Sequence, residues 1–311
     1  MSRERKSTLL PYVAFAALGL IWGASFLFIK LGLQDMAPTV IVLVRSGSGA
    51  IALAVIMAAT GRQLFTDIRA RIGLYVFMAI FNALLPWVLI AWGEEHISSG
   101  LASILNSTTT LWVALLIYWV IPSERPTPLN YAGVVIGVVG VVILVAPDLV
   151  QHGIGGDVAG ALAVVGASMS YAVAALFVRT RMRGMNVYEQ SIGQLTATAL
   201  LAIPLAAPAL PHVHLHLLAV LAVVALGVGG SGIAYLLYYY TMQSLGAVRA
   251  TGVTFVVPIT AVFWGAILLH ESVTLATVVG GFVILVGILL TNRRPRAVTA
   301  PPVREKEAAG V

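Results

Sequence analysis

Ten apolar stretches fill this chain, and its positive charges gather in every second gap between them. A run of about 18 or more mostly apolar residues is long enough to cross the hydrocarbon core of a bilayer as a helix. The stretches cover residues 11–31, 38–60, 72–92, 98–121, 129–146, 157–178, 187–208, 215–242, 247–270 and 275–291. Hydrophobic residues are 59% of the 311 and charged residues only 10%. A soluble domain carries roughly 25% charged residues, so a water-soluble class is excluded. The sequence predicts an all-α membrane protein with ten transmembrane helices.

Sixteen of the 18 Lys and Arg residues fall on one side of that arrangement, beginning with Arg3, Arg5 and Lys6 and recurring in alternate gaps at Arg62, Arg125, Arg179 and Arg249. Lys30 stands alone on the other side, and Arg45 lies inside the second stretch. Cytoplasmic loops are enriched in Lys and Arg, which places both termini in the cytoplasm. The net charge of +6 is then a cytoplasmic rim beside anionic lipid, and the lipid bilayer rather than nucleic acid is the expected partner. The first 25 or so residues resemble a signal peptide, but the apolar run is too long for one and nine more follow. The absence of cysteine excludes disulfides and thiolate ligands. The segment 293–311, rich in Pro, Ala and charge, is expected to be disordered.

The two halves resemble each other. Trp22 to Lys30 matches Tyr171 to Arg179, so that Leu27 and Phe28 meet Leu176 and Phe177. Glu124, Thr127, Gly133 and Gly140 fall on Glu271, Thr274, Gly280 and Gly287 at a constant offset. The expected organisation is a cytoplasmic N-terminus at 1–10, a first repeat at 11–146, an outer linker at 147–156, a second repeat at 157–292 and a cytoplasmic tail at 293–311. Each repeat has five helices, and an odd number turns the second copy upside down. Inverted repeats are a transporter architecture, because exchange of conformation between the halves opens a central site to alternate sides.

The residues that carry a family resemblance are Trp22-Gly23-Ala24-Ser25-Phe26, the Arg45 segment, Phe81 to Trp87, Ser98 to Ala102, Ala234-Tyr235, Leu245-Gly246-Ala247, and Val257-Pro258-Ile259 through His270-Glu271 to Gly280 and Gly287. Each is loose alone, but in this order the chain resembles the EamA-type transporters of the drug/metabolite transporter superfamily from about Leu9 to Asn292. The resemblance implies the inverted-repeat fold, a bacterial cytoplasmic membrane, and movement of small metabolites, often export of amino acids or related amines. One departure is visible. The family's fourth helix carries a proline after a run like Asn106-Ser107-Thr108-Thr109, where this chain has Thr110, whereas the second repeat keeps Pro258. Losing a proline restores a backbone N–H and removes a kinking ring, so the fourth helix is expected to bend less than the ninth.

Polar side chains in lipid-facing helices are costly and tend to face the interior or a cavity. Asn106 and Thr109 share one helical face in the fourth stretch, and Ser231, Tyr235 and Tyr239 form a stripe in the eighth. With Asn82, and with Trp22 and its repeat mate Tyr171, these are the candidate substrate cavity; Pro86 and Pro258 are candidate kinks. Arg45 must pair, snorkel or face water; with its repeat mate Gln194 it is a candidate gate or polar contact, Arg45 reading as a gate or a substrate-carboxylate ligand, or else as a structural helix-to-helix bond. Glu94, Glu95 and His96 are expected as solvated charges in a short outer turn, and Glu271 as a helix-dipole partner at the start of the tenth helix. His212, His214 and His216 lack a carboxylate or Cys companion, so no metal and no cofactor is expected. Glycines four apart, such as Gly19 and Gly23 or Gly133 and Gly137, fit close helix packing inside one molecule.

The expected function is a secondary transporter of a small-molecule substrate, an exporter of amino acids or related amines. The alternative is a proton-coupled multidrug or organic-cation exporter, which is disfavoured because no Asp or Glu falls mid-helix. No P-loop is present for ATP drive. A membrane-embedded enzyme would need a catalytic cluster at membrane depth, and a scaffold would need a larger exposed domain than these loops supply. A monomer of ten helices suffices for a transport path, and a homodimer is compatible with it.

Overall fold

The computed structural model describes residues 2–62, 67–121, 126–152, 155–245 and 252–292. Glu124, Arg125, Gly246, Ala247, Arg249 and the segment 293–311 lie outside them, as does the side chain of Tyr239. Among the described residues the regular secondary structure is all helical, without strands. Helix α1 is Ser2–Gly32 and α2 is Pro38–Ala59. Helix α3, Ile68–Ala79, passes through a π-helical turn, Ile80–Leu84, into α4, Leu85–Glu94. Helices α5, Ser99–Asn106, and α6, Thr109–Val120, follow, then α7, Pro128–His152, α8, Gly156–Arg181, and α9, Val187–Ala206. Helix α10, Leu217–Ala225, runs through a longer π segment, Leu226–Ile233, into α11, Ala234–Leu245. The last two are α12, Val253–Leu268, and α13, Leu275–Thr291.

Among the described residues, seven helical segments, with α5 and α6 taken together as one, are long and apolar enough to cross a bilayer, and α12 and α13 are shorter apolar helices. The chain is a multi-pass membrane protein. Local chemistry sets several boundaries. Ala37 is extended and Pro38 opens α2 where its missing N–H costs nothing. Ser98 accepts from the Leu101 amide at 3.2 Å to start α5, and Thr274 accepts from the Thr277 amide at 3.1 Å to start α13.

Lipid tails are as apolar as Leu, so burial alone does not drive these helices together; close backbone approach and polar contacts do. Helix α7 lies along α13 with glycine against glycine. A Cβ at Gly287 would come within 2.6 Å of the Gly137 nitrogen and 2.7 Å of the Gly133 oxygen. Asn130 Nδ2 donates to the Thr291 carbonyl at 2.7 Å at one end of this pair. Helix α1 crosses α12, where Thr260 Oγ1 donates to the Gly19 carbonyl at 2.9 Å. Helix α8 packs on α4 through Gly160 and Gly93, and also on α5 and α6. Helix α2 packs on α9 and on the π segment of residues 226–233. The glycine pairs thus pack helices within the molecule, as expected.

One expectation is overturned. The fourth apolar span breaks at Ser107–Thr108, between α5 and α6, whereas α12 runs unbroken through Pro258. Hydroxyls explain it. Ser107, Thr108 and Thr109 donate to the carbonyls of Ile104, Leu105 and Asn106 at 2.6, 2.6 and 2.9 Å. Side chains that bond back to the preceding turn loosen the backbone ladder there. Ser168 of α8, fully buried, donates to the Leu105 and Asn106 carbonyls at 3.1 and 3.3 Å and so satisfies groups at the break. Pro86, for its part, is the second residue after the π turn of residues 80–84.

Candidate substrate cavity

A cavity of about 360 Å³ lies at the centre of the molecule. Helix α1 contributes Trp22, Ser25, Phe26 and Ile29, at i, i+3, i+4 and i+7 on one face. The broken fourth span contributes Ser103, Asn106, Ser107, Thr109 and Thr110, so the break turns its polar side inward. Tyr171 enters from α8, and Thr254, Val257 and Pro258 from α12. The two π segments supply the rest. Asn82 with Trp87, and Gly230 with Tyr235, each stand five residues apart, the spacing that a π turn aligns.

Of the residues expected from sequence, the structure brings Trp22, Arg45, Asn82, Asn106, Thr109, Tyr171, Tyr235 and Pro258 together around this space. Ser231 and Gln194 stand behind the wall. Ser231 Oγ accepts from Arg45 Nε at 3.1 Å. Gln194, 2% exposed, accepts from Asn82 Nδ2 at 3.0 Å and donates to the Tyr235 hydroxyl at 3.5 Å. Gln194 therefore fixes two cavity side chains at once. Trp22 Nε1 donates to the Gly230 carbonyl at 3.2 Å, which ties the indole to the second π segment.

Arg45 is the charged group of this wall. It is 9% exposed, and its guanidinium carbon lies 3.8 Å from the centre of the Trp87 ring. Among the described residues no carboxylate pairs with it. Stacking on an indole and one hydrogen bond to Ser231 offset about 1–3 kcal/mol between them, whereas taking a cation out of water costs several. The remaining guanidinium N–H groups are free to bind an anion. Across the cavity, the Ser103 hydroxyl and the Asn106 side-chain amide oxygen, Oδ1, are buried without a hydrogen-bond partner. The arrangement offers one fixed cation, two orphaned polar atoms and the faces of Trp22, Trp87, Tyr171 and Tyr235.

Two acidic residues differ from expectation. Glu94 is not a solvated loop charge: it ends α4 and is 0% exposed. Glu271 does not serve α13, whose start Thr274 caps. Its carboxylate accepts from the Ser99 amide at 2.9 Å, the Ser99 hydroxyl at 2.8 Å and the Gly100 amide at 3.4 Å, at the N-terminus of α5. The carboxylate complements a helix dipole, but that of α5 and not that of α13. Of the three histidines, His216 pairs with Asp35 at 2.5 Å, and among the described residues no cluster suits a metal.

Sequence reasoning missed Trp87, Ser25, Ser103 and Gly230. Trp87 and Gly230 follow from the π register, which helical periodicity misplaces by one residue. Glycine-rich Leu226–Ile233 was the available signal for the second.

A family model described as the EamA-like transporter family matches residues 9–146 and again 158–293. A Bacillus subtilis protein named uncharacterized transporter YoaV is 22% identical over 88% of this chain and 93% of its own length. A Streptantibioticus cattleyicolor protein, named "Probable terminal-alkyne amino-acid exporter", is 27% identical over 88% of this chain and 90% of its own. A solved crystal structure shares the fold with a TM-score of 0.66 at 21% identity, covering 92% of this chain and 96% of that one.

Proposed function

Since this chain belongs to the EamA-like transporter family, we propose that it is a secondary transporter that exports a small carboxylate-bearing amine, an amino acid or close relative, by alternating access. The observation that carries the substrate class is Arg45. A buried guanidinium without a carboxylate partner, facing a cavity, is completed by a substrate carboxylate in bidentate contact. The substrate ammonium then meets the orphaned Asn106 oxygen and the aromatic faces. A permanent organic cation would meet Arg45 as a like charge, which argues against the multidrug reading. The relative named as an amino-acid exporter supports both the class and the direction.

Alternating access in this reading uses ten spans in two inverted five-helix repeats, 11–146 and 157–292, in a bacterial cytoplasmic membrane with both termini cytoplasmic. Three observations support it. The family model matches twice in succession. The π segments 80–84 and 226–233 occupy corresponding spans of the two halves. The packing is reciprocal: α1 lies against α12 as α8 lies against α5 and α6, and α1 meets α10 and α11 as α8 meets α4. The orientation rests on the distribution of Lys and Arg.

Counterflow tests the reading. Proteoliposomes preloaded with single amino acids should accumulate a labelled trace of the same compound, and Arg45→Gln should abolish this while the protein remains monodisperse. Exchange of an organic cation such as tetraphenylphosphonium, with none of any amino acid, would overturn the substrate class.

A further inference from the structure

Glu94 closes α4 one helical turn beyond Ile90, on the same face. Four residues advance the axis by about 6 Å, so its carboxylate sits just behind the end of the cavity that Ile90 lines. Lys30 follows Ile29, which lines the same end. The Lys30 ammonium donates to the backbone carbonyls of Glu94 and of Ile97, the latter at 2.9 Å, and so ties α1 to the end of α4. This roof buries Glu94 completely, and both of its carboxylate oxygens lack a hydrogen-bond partner.

Among the described residues, no charged group around Glu94 hydrogen-bonds or ion-pairs with its carboxylate. From α1, Lys30 serves the two carbonyls. From α2, Arg45 binds Ser231 and covers Trp87. From the segment before α13, Glu271 caps α5. On its own turn Glu95 is exposed, and His96 Nδ1 contacts the Trp92 carbonyl at 3.0 Å. Helix α8 brings Val164 and the Gly160 backbone to the adjacent Gly93, and its Asp157 is exposed. An ionised carboxylate without a partner or water costs several kcal/mol in such a place.

We infer that Glu94 is a proton-binding site that couples closure of the outer end of the cavity to uptake of one proton. When the roof opens, water reaches the carboxylate and it ionises. When the roof closes, the carboxylate takes a proton and becomes the neutral acid; no other bond changes. The sign follows by linkage: the closed form holds the extra proton, so external acid favours closure and external alkali favours opening. The inference rests on the transporter reading and deepens it by naming a proton-dependent step in its cycle.

The chain has no cysteine, so a single Ile90→Cys reports whether the roof is open. Spheroplasts, and in parallel inverted membrane vesicles, are treated with a membrane-impermeant methanethiosulfonate at external pH from about 5.5 to about 8.5. The labelling rate in the Ile90→Cys protein is divided by the rate in Ile90→Cys with Glu94→Gln, which cancels the ionisation of the thiol. The neutral glutamine holds the roof closed at every pH. The ratio should be near one in acid and rise by about tenfold or more in alkali in one of the two preparations. Glu94→Asp in place of Glu94→Gln should restore the alkaline rise in rate. A ratio that stays flat with pH in both preparations, or an Asp variant that behaves as the Gln variant does, overturns the assignment. The labelling needs no substrate, so a failed amino-acid counterflow and a failed proton site are separate results.

Discussion

The Arg45 guanidinium lies over the indole of Trp87, donates through Nε to Ser231, and leaves its other N–H groups to the cavity. Lysine would keep the charge and lose both the stack and the fork. Arg45→Lys is therefore expected to reduce the initial counterflow rate by at least about tenfold at matched protein level, as the bidentate contact is lost. Glu271 offers a second test. Glu271→Ala removes the acceptor from the Ser99 and Gly100 amides and should destabilise the solubilised protein by about 1–2 kcal/mol, read as a lower midpoint in thermal unfolding. At this scale much was legible in the sequence. Trp22, Asn82, Asn106, Tyr171 and Tyr235 stand out as polar or aromatic groups in apolar runs, and all line one cavity. Glu94 was not legible, because Glu95 and His96 beside it read as a wet turn, and only three-dimensional packing on α1 and α8 dries the first of the three.

The elements carry a lesson about register. A strict period of 3.6 makes Ser231 and Tyr235 neighbours on one stripe, but the π segment widens the turn and puts Gly230 there instead, with Ser231 turned to Arg45. The broken fourth span shows that adjacent hydroxyls, without proline, suffice to interrupt a helix when a neighbour such as Ser168 receives the freed carbonyls. Glycine contacts give a sharp pair of expectations. Gly287→Ala places a methyl group against backbone atoms of α7 at 2.6–2.8 Å, so one helix must move. It should cost about 1–3 kcal/mol in unfolding of the solubilised protein. Gly47→Ala in α2 meets nothing within 4 Å. It should be neutral or stabilising by up to about 1 kcal/mol, because alanine loses less freedom in a helix.

For the whole molecule, the two ends of the cavity are tied differently. Arg71 and Tyr75 of α3 both donate to Glu189 of α9, at 2.6 and 2.7 Å, on the side to which the charge count assigns the cytoplasm. On the other side Lys30 and Glu271 bind backbone groups at helix ends. The assignment of sides is checked by labelling. Gln34→Cys, between α1 and α2, should react with an impermeant thiol reagent in intact spheroplasts, and Arg183→Cys, between α8 and α9, only after permeabilisation; the reverse pattern would turn the molecule over.

The glycine seam between α7 and α13 has a consequence for how such a protein changes over generations. No cavity-lining residue comes from either helix, so this seam and the cavity share no positions. On the proposed reading, a lineage can alter its cargo by substitutions around Arg45 and Trp87 while this seam stays fixed, and selection on the seam and selection for specificity then act on separate residues.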